Sequence, residues 1–282
     1  MIDSSTRPGR SVEVILTTLG DGITTKRHDR VAVEEPLEIR LVAGRERRSL
    51  VLTMRTPGND FELAAGFLFS EGIITSRDAI AGISYCLDAE VGVEQQYNIV
   101  NVELRSGALP DLRAHERLFT GYGACGICGR ESLDALETRG LRAVDDSTTL
   151  ASETLYALSD RMRAAQPVFD RTGGLHATAL FDASGELLLL REDIGRHNAF
   201  DKAVGEAFLA GKLPLRGRIA LVSGRASFEL VQKAVAAGIP ILASISAPSS
   251  LAIDLARRFD VTLVGFLRDR RANVYSAEHR IL

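Results

Sequence analysis

Ile219-Ala-Leu-Val-Ser-Gly-Arg-Ala-Ser-Phe-Glu-Leu-Val-Gln-Lys-Ala-Val-Ala-Ala-Gly-Ile-Pro-Ile-Leu-Ala-Ser244 is the stretch that decides the fold. Its two ends, Ile219 to Ser223 and Ile241 to Ser244, are short apolar runs that read as strands. Between them Phe228 to Ala237 reads as a helix. Ala237-Gly238-Ile-Pro240 stops that helix, with glycine just past its end and proline beyond. Strands joined through a helix lie parallel, and the helix covers their sheet. The same alternation extends outward. Upstream stand a helix at Leu150 to Ala165, strands at Leu175 to Phe181 and Glu186 to Glu192, and a helix at Asn198 to Leu209. Downstream come a helix at Leu251 to Arg258 and a strand at Val261 to Phe266. The expected architecture is α/β, with helices on both faces of one sheet.

The first half is different. Val12 to Leu16, Leu37 to Val42, Ser49 to Met54 and Asn98 to Leu104 are apolar or alternating runs separated by turn residues, which read as strands. One helix interrupts them, in Asn59 to Gly72, where Phe61, Ala64, Ala65 and Leu68 share a face. Thr56-Pro57-Gly58 precedes it as a turn, and its plain role is a core helix packed on a sheet. Composition changes near Asp145-Asp-Ser-Thr-Thr149, a linker or a helix cap. The expected division is a smaller strand-rich unit over residues 1–147 and an α/β unit over residues 148–282.

Composition bounds the function. The chain has 282 residues, 45% hydrophobic and 25% charged, as in an ordinary globular protein. A net charge of −3 argues against bulk nucleic-acid binding. Three cysteines make no disulfide framework and fit a reducing cytosol. Met1-Ile-Asp-Ser-Ser-Thr-Arg-Pro has no apolar leader core, and no stretch approaches a membrane span. A soluble cytoplasmic protein without nucleic-acid or membrane partners is expected.

Two of the three cysteines fall in Gly121-Tyr-Gly-Ala-Cys125-Gly-Ile-Cys128-Gly129. Flanking glycines permit backbone swings that other residues resist, which suits a thiol that must reach a partner. Sulfur transfer, metal binding and dithiol redox chemistry all remain open on spacing alone. A structural zinc site normally takes four ligands, and the remaining cysteine, Cys86, has no paired thiol and reads as buried and inert. Zinc-deaminase chemistry is rejected. It requires H-x-E before P-C-x-x-C, whereas His176 is followed by Ala177-Thr178 and the cysteine pair comes first.

The densest polar cluster is Glu192-Asp-Ile-Gly-Arg-His-Asn-Ala-Phe-Asp-Lys202. It lies between a strand and a helix, where open α/β sheets bind ligands. Arg196, His197 and Lys202 suit a phosphate, and Asp193 suits accepting from a base or orienting His197. Upstream, Arg171-Thr-Gly-Gly-Leu-His176 offers close backbone approach and a second imidazole. Ser223-Gly-Arg225-Ala-Ser227 and Ser246-Ala-Pro-Ser-Ser250 open helices with free N–H groups, as anion sites do, although Ser227 and Ser249 equally suit plain N-caps. Phe266-Leu267-Arg268-Asp269-Arg270-Arg271 ends a central strand with three arginines, whose forks match phosphate oxygens unless they are merely solvated. These loops would converge on one sheet edge as a pocket for a large phosphorylated ligand.

In this order, the stretches resemble the FdhD/NarQ family, sulfur carrier proteins that formate dehydrogenases require. The likeness runs from Thr56-Pro-Gly and Gly66-Phe-Leu-Phe-Ser-Glu-Gly-Ile-Ile74 through Cys125-Gly-Ile-Cys128-Gly and Thr172-Gly-Gly-Leu-His176. It continues through Glu192 to Lys202, Ser223-Gly-Arg-Ala-Ser-Phe-Glu and Ser246-Ala-Pro-Ser-Ser-Leu-Ala. The resemblance implies a sulfurtransferase that takes sulfane sulfur from a cysteine desulfurase. It would pass the sulfur to the molybdenum cofactor, in its bis-guanine-dinucleotide form, on the way to formate dehydrogenase. It further implies Cys125 as the persulfide carrier with Cys128 assisting, a cytidine-deaminase-like second half, a homodimer, and cofactor contacts at Phe266 to Arg271. The cofactor enters as bound substrate, and no resident metal is expected. Two positions depart from the family pattern: Gly123-Ala124 stand where small hydroxyl residues often precede the first cysteine, and Asp269 stands where glycine is frequent. The rival reading is a non-catalytic cofactor chaperone whose cysteines are structural or hold zinc.

Overall fold

The computed structural model describes residues 9–20, 22–86, 93–112, 136 and 140–282. Among them the strands form three sheets. Strands β1 (Ser11–Gly20) and β2 (Ile23–Ala32) pair only with each other, as a hairpin. Strands β3 (Glu35–Ala43), β4 (Glu46–Arg55), β5 (Ile80–Tyr85) and β6 (Ile99–Leu104) form a four-stranded sheet of order β4-β3-β6-β5. Leu37, Ile39 and Leu41 alternate along β3 and are fully buried, the period-two signature of a strand with one face on a core. Helix α1 (Asp60–Ser70) fills that core with Leu63, Ala64, Phe67 and Leu68.

The second half builds the larger sheet. Helices α2 (Ser152–Ala164) and α3 (Pro167–Thr172) precede strands β7 (His176–Phe181) and β8 (Leu187–Asp193). Helix α4 (Arg196–Leu209) follows, then β9 (Ile219–Val222), α5 (Phe228–Ala237), β10 (Ile241–Ser244), α6 (Ser250–Arg258), β11 (Thr262–Arg268) and β12 (Arg271–Ser276). The sheet order is β12-β11-β10-β9-β7-β8. Strands β9, β10 and β11 run parallel through the expected helical crossovers, while β7, β8 and β12 are antiparallel additions. Alternating side chains divide between two cores. Ala220, Val222, Leu242 and Leu263 meet α4, α5 and α6, whereas Ile219, Leu221, Ile241 and Val264 meet Leu155, Leu158 and Met162 of α2. The result is a three-layer α/β/α arrangement.

Two expectations need correction. The first helix is buried on nearly all sides rather than along one face, because α4 crosses it on the side away from the four-stranded sheet. Gly66 and Gly205 make that crossing possible. A Cβ on Gly66 would lie 1.9 Å from the Asp201 carbonyl oxygen, and one on Gly205 would lie 1.8 Å from that of Glu62. Second, Phe266 to Arg271 does not simply end the last strand. The chain turns at Asp269 and Arg270, both at positive φ (51° and 53°), and returns as β12. Glycine tolerates that conformation without strain, and aspartate is among the side chains that visit it most readily. The departure from the family pattern at Asp269 is thus accommodated locally.

Candidate functional site

The ends of β9, β10 and β11, the start of β7 and the N-termini of α4, α5 and α6 all meet at one edge of the large sheet. Open α/β sheets bind ligands at this edge. A crevice of about 610 Å³ opens there. Asp160 and Arg163 of α2, Phe169 of α3, Gly173 and Gly174 form one wall. His176, Ser223, Ile194 and Ile245 form its base, and Leu267, Arg268 and Asp269 the opposite wall. The Arg163 guanidinium sits 4.6 Å from the centre of the Phe169 ring and is also paired with Asp170, so this wall is braced by a cation held on an aromatic face.

Two hydroxyls each hold an imidazole. Ser223 Oγ accepts from the Ala177 N–H at 2.9 Å and lies 3.2 Å from His176 Nδ1, which leaves the serine proton for that nitrogen. Burial holds the His176 imidazole below its ordinary pKa, and the positive charge of Arg196 pushes in the same direction. His176 is therefore a neutral acceptor at pH 7. Ser227 occupies the N-cap position of α5 but makes no cap bond, and its hydroxyl stands 3.1 Å from His197 Nε2. By contrast Ser249 does cap α6, accepting from Ala252 N–H at 3.3 Å. Glu229 Oε2 approaches His197 Nε2 at 3.7 Å, and the histidine's hydrogen bond lowers the Glu229 pKa to about 2. Ser227 and Glu229 address the same imidazole nitrogen, so the three do not form a hydrolase relay, which needs base and acid on opposite nitrogens.

Arg196 joins the two imidazoles. A Cβ on Gly224 would touch Arg196 Cδ at 3.3 Å and His176 Nδ1 at 3.4 Å, so both side chains lie over that glycine. Arg196 Nε is buried and has no hydrogen-bond partner among the described residues. A buried donor without a partner is costly unless a ligand supplies an acceptor. With helix N-termini beside it, this cluster suits an anion.

Other expected residues are placed differently. Lys202 does not reach the crevice. Its amine is buried, 2.6 Å from Asp193 Oδ2, and donates to the Thr56 carbonyl at 2.8 Å. Asp193 also accepts from Thr56 N–H, Gly195 N–H and Asn198 Nδ2 at 3.2, 2.8 and 3.1 Å. Lys202 and Asp193 therefore clamp the Thr56 turn to the loop that carries Arg196 and His197. Glu192 accepts from Val168 and Phe169 N–H at 3.1 and 2.8 Å and so fixes the start of α3, the crevice wall. Arg225 is exposed beside Gly224. Phe266 adopts φ 56° and is partly exposed, its N–H donating to the Ser246 carbonyl at 3.1 Å. The Arg270 guanidinium is held by Glu153 at 2.6 Å, and that carboxylate raises its pKa; Arg271 is exposed at the start of β12. Leu267 is buried, whereas Arg268 and Asp269 are exposed at the crevice. Cys86 is buried, as expected. The positions of Cys125 and Cys128 lie outside the described residues.

Sequence reasoning missed Asp160, Arg163 and Phe169. Their spacing follows the helical repeat of α2 and the short α3, which gives no sign that the faces line a crevice. Among the described residues, no three His, Cys, Asp or Glu side chains converge as a metal site, and no helix is long and apolar enough to cross a membrane.

Residues 32–282 match the sequence model of the FdhD/NarQ family. The chain belongs to that family. It is 54% identical over 264 residues to the sulfur carrier protein FdhD of Streptomyces avermitilis, covering 93% of this chain and 92% of that one. It is 48% identical over 268 residues to the sulfur carrier protein FdhD of Mycolicibacterium paratuberculosis, covering 94% and 97%. A crystal structure of a protein provisionally assigned as a formate dehydrogenase accessory protein, from Desulfotalea psychrophila, superposes with a TM-score of 0.74 at 26% identity. That match covers 97% of this chain and 100% of the other. The FdhD/NarQ family match spans both the four-stranded sheet and the crevice-bearing sheet.

Proposed function

We propose that this protein is a sulfur carrier that loads the molybdenum cofactor required by formate dehydrogenase. The names of its relatives support the carrier role. One structural observation supports an anionic cargo: His176, Arg196 and His197 gather at helix N-termini around a buried guanidinium nitrogen that lacks an acceptor. In this reading the cargo is the bis-guanine-dinucleotide form of the cofactor. Its diphosphates would meet Arg196 and His197, and the crevice walled by Phe169, Arg163 and Arg268 would take the rest.

The Cys125 thiolate attacks the outer sulfur of a persulfide on a cysteine desulfurase. A sulfur–sulfur bond forms on Cys125, the donor's bond breaks, and the donor cysteine leaves as thiolate. Reactivity follows the thiolate character of Cys125 and the pKa of the leaving thiol. Delivery can then proceed by Cys128 attacking the inner sulfur of Cys125. That step yields a Cys125–Cys128 disulfide and releases the outer sulfur as hydrosulfide to the cargo, after which a dithiol reductant restores both thiols. The protein acts in the cytoplasm as a homodimer in this proposal.

Intact mass and peptide mapping after incubation with desulfurase and cysteine test the carrier step. One added sulfur atom on Cys125 is expected, and none on Cys125→Ala. A Cys125→Ala variant that still accepts labelled sulfur overturns the scheme. Stoichiometric zinc that is lost when Cys125 and Cys128 are replaced would instead support a chaperone with a structural metal.

A further inference from the structure

A second cavity, of about 310 Å³, lies where the end of β7 and the start of β8 meet the last turn of α4 and the turn before β9. It shares no lining residue with the crevice. Leu180, Leu189 and Leu215 give it an apolar floor, and Leu188 an outer wall. Strand β8 is an edge of the large sheet, yet it carries the run Leu187-Leu-Leu-Leu190. Phe181 pairs with Leu187 and Leu180 with Leu189, so Leu188 is the extra residue of a β-bulge. The bulge leaves the Leu188 side chain 47% exposed at the cavity. It also interrupts the ladder that an added strand would need, so this edge suits a small ligand better than a neighbouring strand.

The lining charges are mostly positive. Lys212, Arg216 and Arg218 stand against one carboxylate, Glu206, which Lys212 approaches at 3.6 Å. Arg216 and Arg218 make no hydrogen bond or ion pair among the described residues, and Arg218 acts on Asp182 only through space. The turn that carries them is anchored on both sides. Leu215 N–H donates to the Ala237 carbonyl at 2.8 Å, and Gly217 N–H, between the two arginines, to Asp146 Oδ2 at 2.9 Å. Two guanidinium forks on a fixed turn beside an apolar hollow match a carboxylate carried on an apolar body. A neutral apolar body would leave the arginines without an acceptor, and a bare anion would leave the leucines in water.

We propose that this cavity binds a small amphipathic carboxylate, its apolar chain among Leu180, Leu188, Leu189 and Leu215 and its head between Arg216 and Arg218. About 310 Å³ is at the small end of ligand cavities, so a medium-chain acid fits and a long-chain lipid does not. The site is independent of the sulfur-transfer reading. Helix α4 gives Arg196 and His197 to the crevice cluster at its first turn, and Glu206 and Ala207 to this cavity near its end.

Octanoate, followed by calorimetry and by backbone amide NMR shifts on the full chain, tests this. One octanoate per chain is expected, with shifts at Leu188, Ala207 and Leu215 and none at Gly174 or Ser223. Octanol, which has the same chain and no charge, should bind at least about tenfold more weakly. Arg216→Glu combined with Arg218→Glu should weaken octanoate by a similar factor, with Tm and the affinity for guanosine diphosphate unchanged. Leu188→Asp should weaken it from the apolar side. No saturable binding in the millimolar range overturns the proposal, as does octanol that binds as tightly as octanoate or a double variant with unaltered affinity. Shifts confined to Gly174 and Ser223 would place octanoate in the crevice and overturn it too. A leucine-terminated peptide that binds more tightly than octanoate, and loses that affinity when its C-terminus is amidated, would give the cavity to a protein tail and overturn the small-ligand assignment.

Discussion

Arg196 and His176 do different work at the same glycine. Replacing Arg196 with Ala removes the buried donor that waits for an acceptor, and affinity for guanosine diphosphate, measured by calorimetry, should fall at least tenfold with Tm nearly unchanged. An unchanged affinity would place the anion elsewhere. His176 makes a pH prediction. Its native pKa lies below 6.5, so between that value and the native one the unfolded chain binds more protons. Stability from this group is therefore full above pH 6.5 and declines as pH falls through the native pKa. A bound anion favours the protonated ring, so guanosine diphosphate should bind more tightly at pH 6 than at pH 7.5. His176→Gln should flatten that slope, and an identical slope in the variant would show that other groups carry it. The imidazoles and Arg196 were legible in the sequence because polar side chains crowd a strand-to-helix junction. The loss of Lys202 to Asp193 was not legible, since nothing in the local pattern reveals that the Thr56 turn arrives from 146 residues away.

Among the elements, the α1–α4 crossing is the most sensitive to change. Gly66→Ala or Gly205→Ala drives a methyl group into a helix carbonyl, so the helices must separate. A loss of about 3 kcal/mol or more is expected, read as a lowered urea midpoint. A midpoint within error of the unmodified protein would mean that the helices part easily. Glu192→Gln should loosen α3, whose first N–H groups the carboxylate satisfies; hydrogen exchange should speed at Val168 and Phe169 while β9 and β10 stay protected. The parallel core was readable because β9, α5 and β10 have unambiguous periods and α5 a clear stop signal. Strand β12 was missed because Arg271 to Ser276 carries exposed residues on both faces, and α3 because so short a helix has little periodicity. The hairpin was only half seen, as β2 carries Lys26, Arg27, His28, Asp29 and Arg30 in an unbroken charged run.

At the scale of the whole molecule, two buried ion pairs sit where the two halves meet, and each lysine reaches across with one further contact, to the Thr56 carbonyl and to Glu71. Lys202 binds Asp193 beneath the Thr56 turn, and Lys233 binds Asp201 at 2.9 Å with Glu71 at 3.3 Å beside it. Burial pushes the Lys202 pKa down and the Asp201 pKa up, against their partners. Removing one member strands the other, so Lys202→Met should cost about 3–5 kcal/mol, and pairing it with Asp193→Asn should recover part of that loss. Equal midpoints for the single and double variants would mean that the charges are not coupled.

The clamp also limits how this protein can be rebuilt from pieces. A chimera that grafts the first hundred residues of a distant relative onto this crevice inherits a foreign turn above Lys202 and a foreign helix against Gly205. Recombination should therefore succeed only when Thr56, Gly66, Asp193, Lys202 and Gly205 travel from one parent.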